Sequence, residues 1–234
     1  MQDLDSRVDQ LRHRRAHLPE LAEIAALRTS RDEVLNLVRD AQIVVDDLTA
    51  EQAKADADVE QVRARRTRDR ERMDAGLIAN PKDLQRMTHE LESLERRISS
   101  LEDTELEIME QLEEAQATLT RRHEELAGHE ERLAELSVAR DGQFAEIDQE
   151  LESLASQRGP AVTGLPADLL ALYDRLRQAK GGVGASLLRA RECGGCRLTL
   201  DHAEIAVIRA ATSDEVIRCE ECQRILVRTD ESGL

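Results

Sequence analysis

Aromatic side chains are nearly absent, with one Phe, one Tyr and no Trp in 234 residues. A broad globular core draws much of its bulk from such rings. Their scarcity beside abundant Ala, Leu, Glu and Arg excludes a large single-core architecture and favours long helices that bury a narrow apolar seam. Long apolar runs are missing too: segments such as Ile43-Val44-Val45 are far short of a membrane span. Met1 to Arg15 is charged throughout and has no apolar signal core, so the expected setting is cytoplasmic and reducing. Cysteine is absent from the first 192 residues, which leaves four thiols clustered near the C-terminus.

Those four are Cys193-Gly-Gly-Cys196 and Cys219-Glu-Glu-Cys222, separated by the 22 residues from Arg197 to Arg218. Two C-x-x-C pairs have the ligand spacing of a tetrahedral Zn²⁺ site, each pair aiming two thiolates at one ion. The reading is a zinc ribbon with one structural Zn²⁺ on Cys193, Cys196, Cys219 and Cys222. Four thiolates leave no open position for water, which argues against a catalytic metal. A disulfide framework belongs to small secreted chains, and a redox dithiol belongs beside a βαβ pattern that is lacking here. His202 is a rival ligand in principle, although its place in a first helical turn accounts for it. Within the insert, Asp201 followed by Glu204 reads as a capping-box-like start to a short helix through Ile205, Ile208 and Ala211. Strand-like runs follow at Val216-Ile217-Arg218 and Ile225-Leu226-Val227.

The remainder is heptad-patterned. Steps of three and four pick out Leu27, Val34, Val38, Ala41, Val45, Leu48, Val59 and Val62, and later Leu84, Met87, Leu91, Leu94, Ile98, Leu101, Glu105, Ile108, Leu112, Ala115 and onward to Leu136. Between the two series, Gly76 suits a left-handed C-cap, Asn80 an N-cap and Pro81 a first helical position. So short a turn, near 74–81, makes the helices antiparallel, with Val45 expected near Glu110. Pro19 interrupts the first arm, and a four-residue step from Leu136 through Arg140 to Phe144 unsettles the second, so a kink is expected near 19 and 136–144. At about 1.5 Å per residue an arm from Glu20 to Met73 reaches about 80 Å. The expected organisation is a mainly α chain: an antiparallel coiled-coil hairpin over 1–157, a linker over 158–166 around Gly159-Pro160, and a short helix plus zinc ribbon over 167–234. That short helix opens after Pro166, runs through Leu169, Leu170, Tyr173 and Leu176, and ends at Lys180-Gly181-Gly182. No nucleophile, general base or substrate pocket accompanies these elements, so an enzyme is not expected. Lys180 to Ser186 lacks the lysine of a phosphate-binding loop, and His123 and His129 are spaced too far apart for a zinc-protease helix.

Several stretches resemble the bacterial family of coiled-coil proteins with a C4-type zinc ribbon. They are Tyr173-Asp-Arg-Leu-Arg, Gly181-Gly-Val-Gly, Cys193-Gly-Gly-Cys196, Val216-Ile-Arg-Cys-Glu-Glu-Cys-Gln-Arg-Ile-Leu226 and Asn80-Pro-Lys-Asp-Leu-Gln at the second helix start. The resemblance spans essentially the whole chain. It implies a long helical hairpin carrying a zinc ribbon, in a family with members linked to flagellar biogenesis, to the sigma-54 factor of RNA polymerase and to messenger RNA binding. Gln223 stands where the family usually has Gly, and Val227 where an aromatic often follows Ile-Leu.

Charge bears on partners. The chain carries a formal charge of -16. From Glu60 to Arg86, however, Arg63, Arg65, Arg66, Arg68, Arg70, Arg72, Lys82 and Arg86 outnumber five acids, giving +3 and leaving -19 elsewhere. An arginine-rich tip suits phosphates or an acidic protein surface, or else forms ordinary solvated pairs with its neighbours. Without aromatic platforms, single-strand readout by stacking is disfavoured. The sequence thus implies a non-enzymatic zinc-binding adaptor that bridges macromolecular partners, foremost an unidentified protein in transcription or gene regulation. RNA or DNA binding through the basic tip and ribbon is the alternative. An RNA polymerase secondary-channel factor reaching with Asp74 or Asp83 is a second alternative, by analogy alone. Neither a membrane nor a small-molecule substrate is expected.

Overall fold

The computed structural model describes residues 1–234. Two compact units divide the chain: Ala22–Leu136, and Met1–Leu21 together with Ser137–Leu234. In chain order the elements are α1 (Gln2–Ala16), α2 (Pro19–Asp74), α3 (Pro81–Val162), α4 (Ala167–Ala179), β1 (Ala185–Arg189), β2 (Glu192–Cys193), α5 (His202–Ala210), β3 (Ile217–Arg218) and β4 (Ile225–Val227), with a 3-10 turn at Asp230–Ser232. No helix is long and apolar enough to cross a membrane.

Within Ala22–Leu136, α2 and α3 run antiparallel and bury a one-residue-wide seam that includes Ile24, Val34, Val38 and Val59 against Leu91, Leu94, Ile98, Leu112 and Ala115. The turn forms by the chemistry its residues dictate. Gly76 takes φ +67°, Leu77 N–H donates to Arg72 O (3.3 Å) and Gly76 N–H to Met73 O (3.1 Å), the paired bonds of a Schellman ending. Asn80 Oδ1 accepts from Lys82 N–H (2.9 Å), satisfying a donor at the start of α3.

The register agrees with expectation to within about one helical turn. Ala41, Val44 and Leu48 line a cleft with Gln111, Ala115 and Thr118, beside the expected level of Glu110, and the cross-helix pairs Glu23–Arg132 and Arg65–Glu90 fall on the expected pairing.

In the other unit, α1 lies on the C-terminal part of α3, with Leu4 and Val8 beside Leu151, Leu154 and Ala155. His17 and Leu18 separate α1 from α2. By contrast α3 is unbroken through Leu136–Phe144, because a change of seam does not interrupt the i to i-4 bonds of the backbone. The expected linker at 158–166 is also shorter, since α3 continues through Gly159 and Pro160 to Val162. Two contacts hold this stretch helical: Arg158 is tied to Asp5 (2.9 Å), and the Thr163 hydroxyl donates to Gly159 O (3.0 Å).

The strands form one sheet in the order β2-β1-β4-β3, with β1 and β4 parallel and both edge pairs antiparallel. Leu188, Leu200, Ile205, Ile208 and Leu226 pack with the cysteines into the core of this small domain.

Candidate metal centre

The two cysteine pairs sit on two copies of the same backbone turn. In the first, Cys193 N–H donates to Leu198 O (2.9 Å) and Arg197 N–H to Cys193 O (2.7 Å); in the second, Cys219 N–H donates to Arg224 O (3.0 Å) and Gln223 N–H to Cys219 O (2.8 Å). Each turn closes on a left-handed residue, Arg197 at φ 61° and Gln223 at φ 62°. This is why a glycine is the natural occupant at position 223, and why Gln223 there carries backbone strain. Gln223 Nε2 is anchored to Glu220 O (2.8 Å).

The residues inside the two turns differ for a packing reason. A Cβ on Gly194 would lie 2.9 Å from Leu187 O, and one on Gly195 would lie 2.6 Å from Arg224 Cδ. The second turn faces no such neighbours and holds Glu220 and Glu221, both exposed.

The four Sγ atoms lie within 4.8 Å of one another, with Cys193 to Cys222 at 3.7 Å and Cys196 to Cys219 at 3.8 Å. A tetrahedral ion with Zn–S bonds of about 2.3 Å needs sulfurs about 3.8 Å apart. The donor set therefore fits one structural Zn²⁺. Cys193, Cys219 and Cys222 are buried and Cys196 is half-buried, so the thiolates are shielded from solvent. His202, at the start of α5, is exposed and is not among the clustered donors.

Electrostatics separate the thiols. Burial opposes ionisation of Cys193, but the amide N–H groups of Cys196 and Gly195 and the Ser186 hydroxyl stabilise its thiolate, leaving the pKa lowered to about 7. Burial pushes Cys219 up to about 12, in spite of amide donors from Cys222 and Glu221. A cation at the centre must displace that proton, so loading releases protons and weakens in acid.

The surrounding frame is built largely by arginines binding carbonyls. Arg224 donates to Val183 O (2.9 Å), Gly195 O (3.3 Å) and Lys180 O (2.9 Å). Arg228 donates to Ile208 O, Ala211 O and Thr212 O at the end of α5. Asp201 accepts from Glu204 N–H (2.8 Å), capping α5, but Glu204 does not complete a capping box: its carboxylate turns to Glu220 N–H (3.2 Å) in the second knuckle. With Arg189 on Glu231, Arg191 on Gly233 O and Arg218 on Gln223 O, five ribbon arginines are spent internally.

A profile for the CT398-like coiled coil hairpin domain matches residues 1–181, and one for a C4-type zinc ribbon domain matches residues 193–226. The chain belongs to the CT398-like hairpin family. Its relatives include the Mycobacterium tuberculosis protein Rv2229c, 37% identical over 97% of this chain and 92% of that one. A Mycobacterium leprae protein is 31% identical over 94% of each. Among solved structures, one from Mycobacterium smegmatis superposes with a TM-score of 0.81 at 36% identity, covering 97% of this chain and 94% of that chain. CT398 of Chlamydia trachomatis shares the fold, with a TM-score of 0.67 at 19% identity over 97% and 94%. The CT398-like hairpin and the C4 ribbon are structural and interaction modules, and neither indicates catalysis.

On the hairpin of this family member, the tip cations are largely engaged. Arg63 pairs with Glu60 and Glu102, Arg65 with Asp69 and Glu90, Arg66 with Glu95, Arg70 with Asp74, and Arg86 with Asp83. Arg68 donates to Ala64 O (3.3 Å), and Arg72 and Lys82 stand outside these pairs. Folding brings Glu90, Glu95 and Glu102 to the arginines from the opposite helix, which a count along 60–86 does not include.

Sequence reasoning missed a polar node in the unit that carries the ribbon. Asp5 is 3% exposed; it accepts from Tyr173 Oη (2.8 Å) and Arg158 Nε (2.9 Å), and Arg177 donates to its carbonyl (3.2 Å) while pairing with Asp9 (2.6 Å). The Gln2 side chain adds a clamp, donating to Gly182 O (2.9 Å) and accepting from Gly184 N–H (2.8 Å). The available signal was Tyr173, a lone tyrosine on the apolar face of a short helix, where a buried hydroxyl demands a partner.

Proposed function

We propose that this protein is a non-enzymatic adaptor in which Cys193, Cys196, Cys219 and Cys222 hold one structural Zn²⁺ and the ribbon and hairpin bind macromolecular partners, in transcription or gene regulation. The closed sulfur set carries the reading. Sulfur from two distant segments fills every coordination position, so the ion organises a small domain and leaves no site for a substrate. The coiled-coil hairpin supports protein interaction, and the regulatory setting rests on the family resemblance.

The alternatives draw less support from the geometry. Nucleic-acid binding through Arg63, Arg65, Arg66, Arg68, Arg70, Arg72, Lys82 and Arg86 requires free cations, and five of these eight are already ion-paired. A secondary-channel role for Asp74 or Asp83 requires a free carboxylate, yet these pair with Arg70 (3.8 Å) and Arg86 (3.3 Å).

Affinity capture of the zinc-loaded protein from native lysate, with and without nuclease, tests the reading. Protein partners are expected to survive nuclease and to be insensitive to charge reversal at Arg65, Arg66, Arg68 and Arg70. Capture that disappears with nuclease and with those reversals transfers the function to nucleic-acid binding.

A further inference from the structure

The hairpin unit exposes a second apolar row beside its seam. Leu37 (42% exposed) and Val44 (49% exposed) lie seven residues apart on α2, with Ala41 and Leu48 completing the i, i+4, i+7, i+11 pattern. Ala41, Val44 and Leu48 form one wall of a cleft of about 320 Å³, whose other wall on α3 holds Ala115 and Thr118. The buried seam uses Val34, Val38 and Ala115, and Leu37 and Val44 lie along its exposed edge. Two large aliphatic side chains left in water on one face, in a chain where 35% of residues are charged, call for an occupant.

The rim states what kind. By helical angle, Glu33, Asp40, Asp47 and Glu51 follow the apolar row on the outer side of α2; on α3 Glu114 lines the cleft, and Glu107 lies two turns before it on the same face. None of the six is in an ion pair, in contrast to the acids of the tip. Two cations border this rim at one end: Lys54, which by helical angle follows Asp47 and Glu51, and Arg121, which donates to Thr118 (3.0 Å). A second copy docked face to face on this groove would bring the same acids against these and is repelled. The complementary occupant has an apolar stripe and cations on both sides of it.

We propose that this face of the hairpin, floored by Leu37, Ala41, Val44 and Leu48, is the docking groove for a basic amphipathic helix of a partner protein. The row from Leu37 to Leu48 spans about 17 Å, which takes about three turns of the incoming helix. Apolar anchors at i, i+4 and i+7 fill the groove, and Lys or Arg on either flank meets the two acidic rims. This deepens the adaptor reading by naming the surface and the partner's chemistry.

The test uses the full-length zinc-loaded protein and three synthetic helical peptides: a Leu-striped peptide flanked by Lys, the same composition scrambled to destroy the stripe, and the striped peptide flanked by Glu. Fluorescence anisotropy is expected to show the first binding at least tenfold more tightly than either control. The double variant L37S/V44S, at exposed positions and checked for helicity by circular dichroism, is expected to lose at least tenfold. The reversal D40K/D47K/E114K is expected to lose the basic peptide and gain the acidic one. Equal binding of the striped and scrambled basic peptides, or binding indifferent to both variants, overturns the groove. Native capture separates this from the adaptor reading: partners retained equally by L37S/V44S sink the groove alone, whereas no protein partner for the unaltered chain sinks the adaptor reading.

Discussion

Asp5 is the residue whose environment is least ordinary. Burial alone would raise its pKa, but hydrogen bonds from Arg158 and Tyr173, with the charges of Arg158 and Arg177, hold it below the usual carboxylate range. The same contacts act in reverse on Tyr173, whose burial and donation to Asp5 push its phenol well above the ordinary value. A depressed carboxylate contributes stability that is present above its unfolded pKa of about 4 and is lost as pH falls through the lower folded value. Asp5→Asn is therefore expected to flatten the fall in Tm below about pH 4, and at neutral pH to cost about 1–3 kcal/mol for the mispaired buried partners. Tyr173→Phe should cost less, since Asp5 keeps Arg158. Thermal melts across pH check both; an unchanged acid limb in Asp5→Asn would remove the node from the stability of this unit. Tyr173 signalled that a partner was needed, but its identity was not legible, because Asp5 is 168 residues away and pairing at that distance leaves no local pattern. The cysteines were legible because metal coordination restricts residue type and spacing together.

At the scale of elements, the hairpin shows what periodicity conveys and what it omits. Gly76, Asn80 and Pro81 announced the turn because each has a short-range backbone reason to be there. The register follows from the turn to within about one helical turn, with side-chain tilt displacing each contact by about one residue along its own helix. The end of α3 lies past its expected boundary: Gly159 and Pro160 weaken a helix locally, but the tertiary tie from Arg158 to Asp5 and the local bond from the Thr163 hydroxyl to Gly159 O support it. Glu105 occupies a seam position, and its hydrogen bond with the Asp56 carboxyl, aided by burial, holds its pKa above the usual range. A raised carboxyl favours the folded state below its unfolded pKa, and that contribution is lost as pH rises through the folded value. Glu105→Gln keeps the hydrogen bond without the like charge. It is expected to raise the Tm of the hairpin unit at pH 7 and to bring little gain near pH 4. A lower Tm at pH 7 would show that the charged pair is not a burden on the seam.

For the whole molecule, the metal and the two units make separable demands. The ribbon core is small and its strands are two to five residues long, so the cross-link between Cys193-Gly-Gly-Cys196 and Cys219-Glu-Glu-Cys222 supplies much of what holds β1 beside β4. Zinc removal by a strong chelator is expected to release one ion per chain and expose residues 185–227 to protease. The helical signal from Ala22–Leu136 should persist. A ribbon that stays protease-resistant after the metal is gone would deny the ion its organising role. The acid lability of loading follows from Cys219, which must surrender a firmly held proton to bind.

The placement of Tyr173 also has a practical consequence. Ala22–Leu136 contains no Phe, Tyr or Trp, whereas Tyr173 and Phe144 both lie in the other unit. Emission excited at wavelengths where phenylalanine does not absorb therefore comes from Tyr173 alone, seated against a carboxylate. Label-free fluorimetry will register the melting of the Asp5 contact while the hairpin stays optically silent, and far-ultraviolet dichroism, dominated by the long helices, will register the rest. Comparing the two traces in one titration reveals whether the units unfold together or apart.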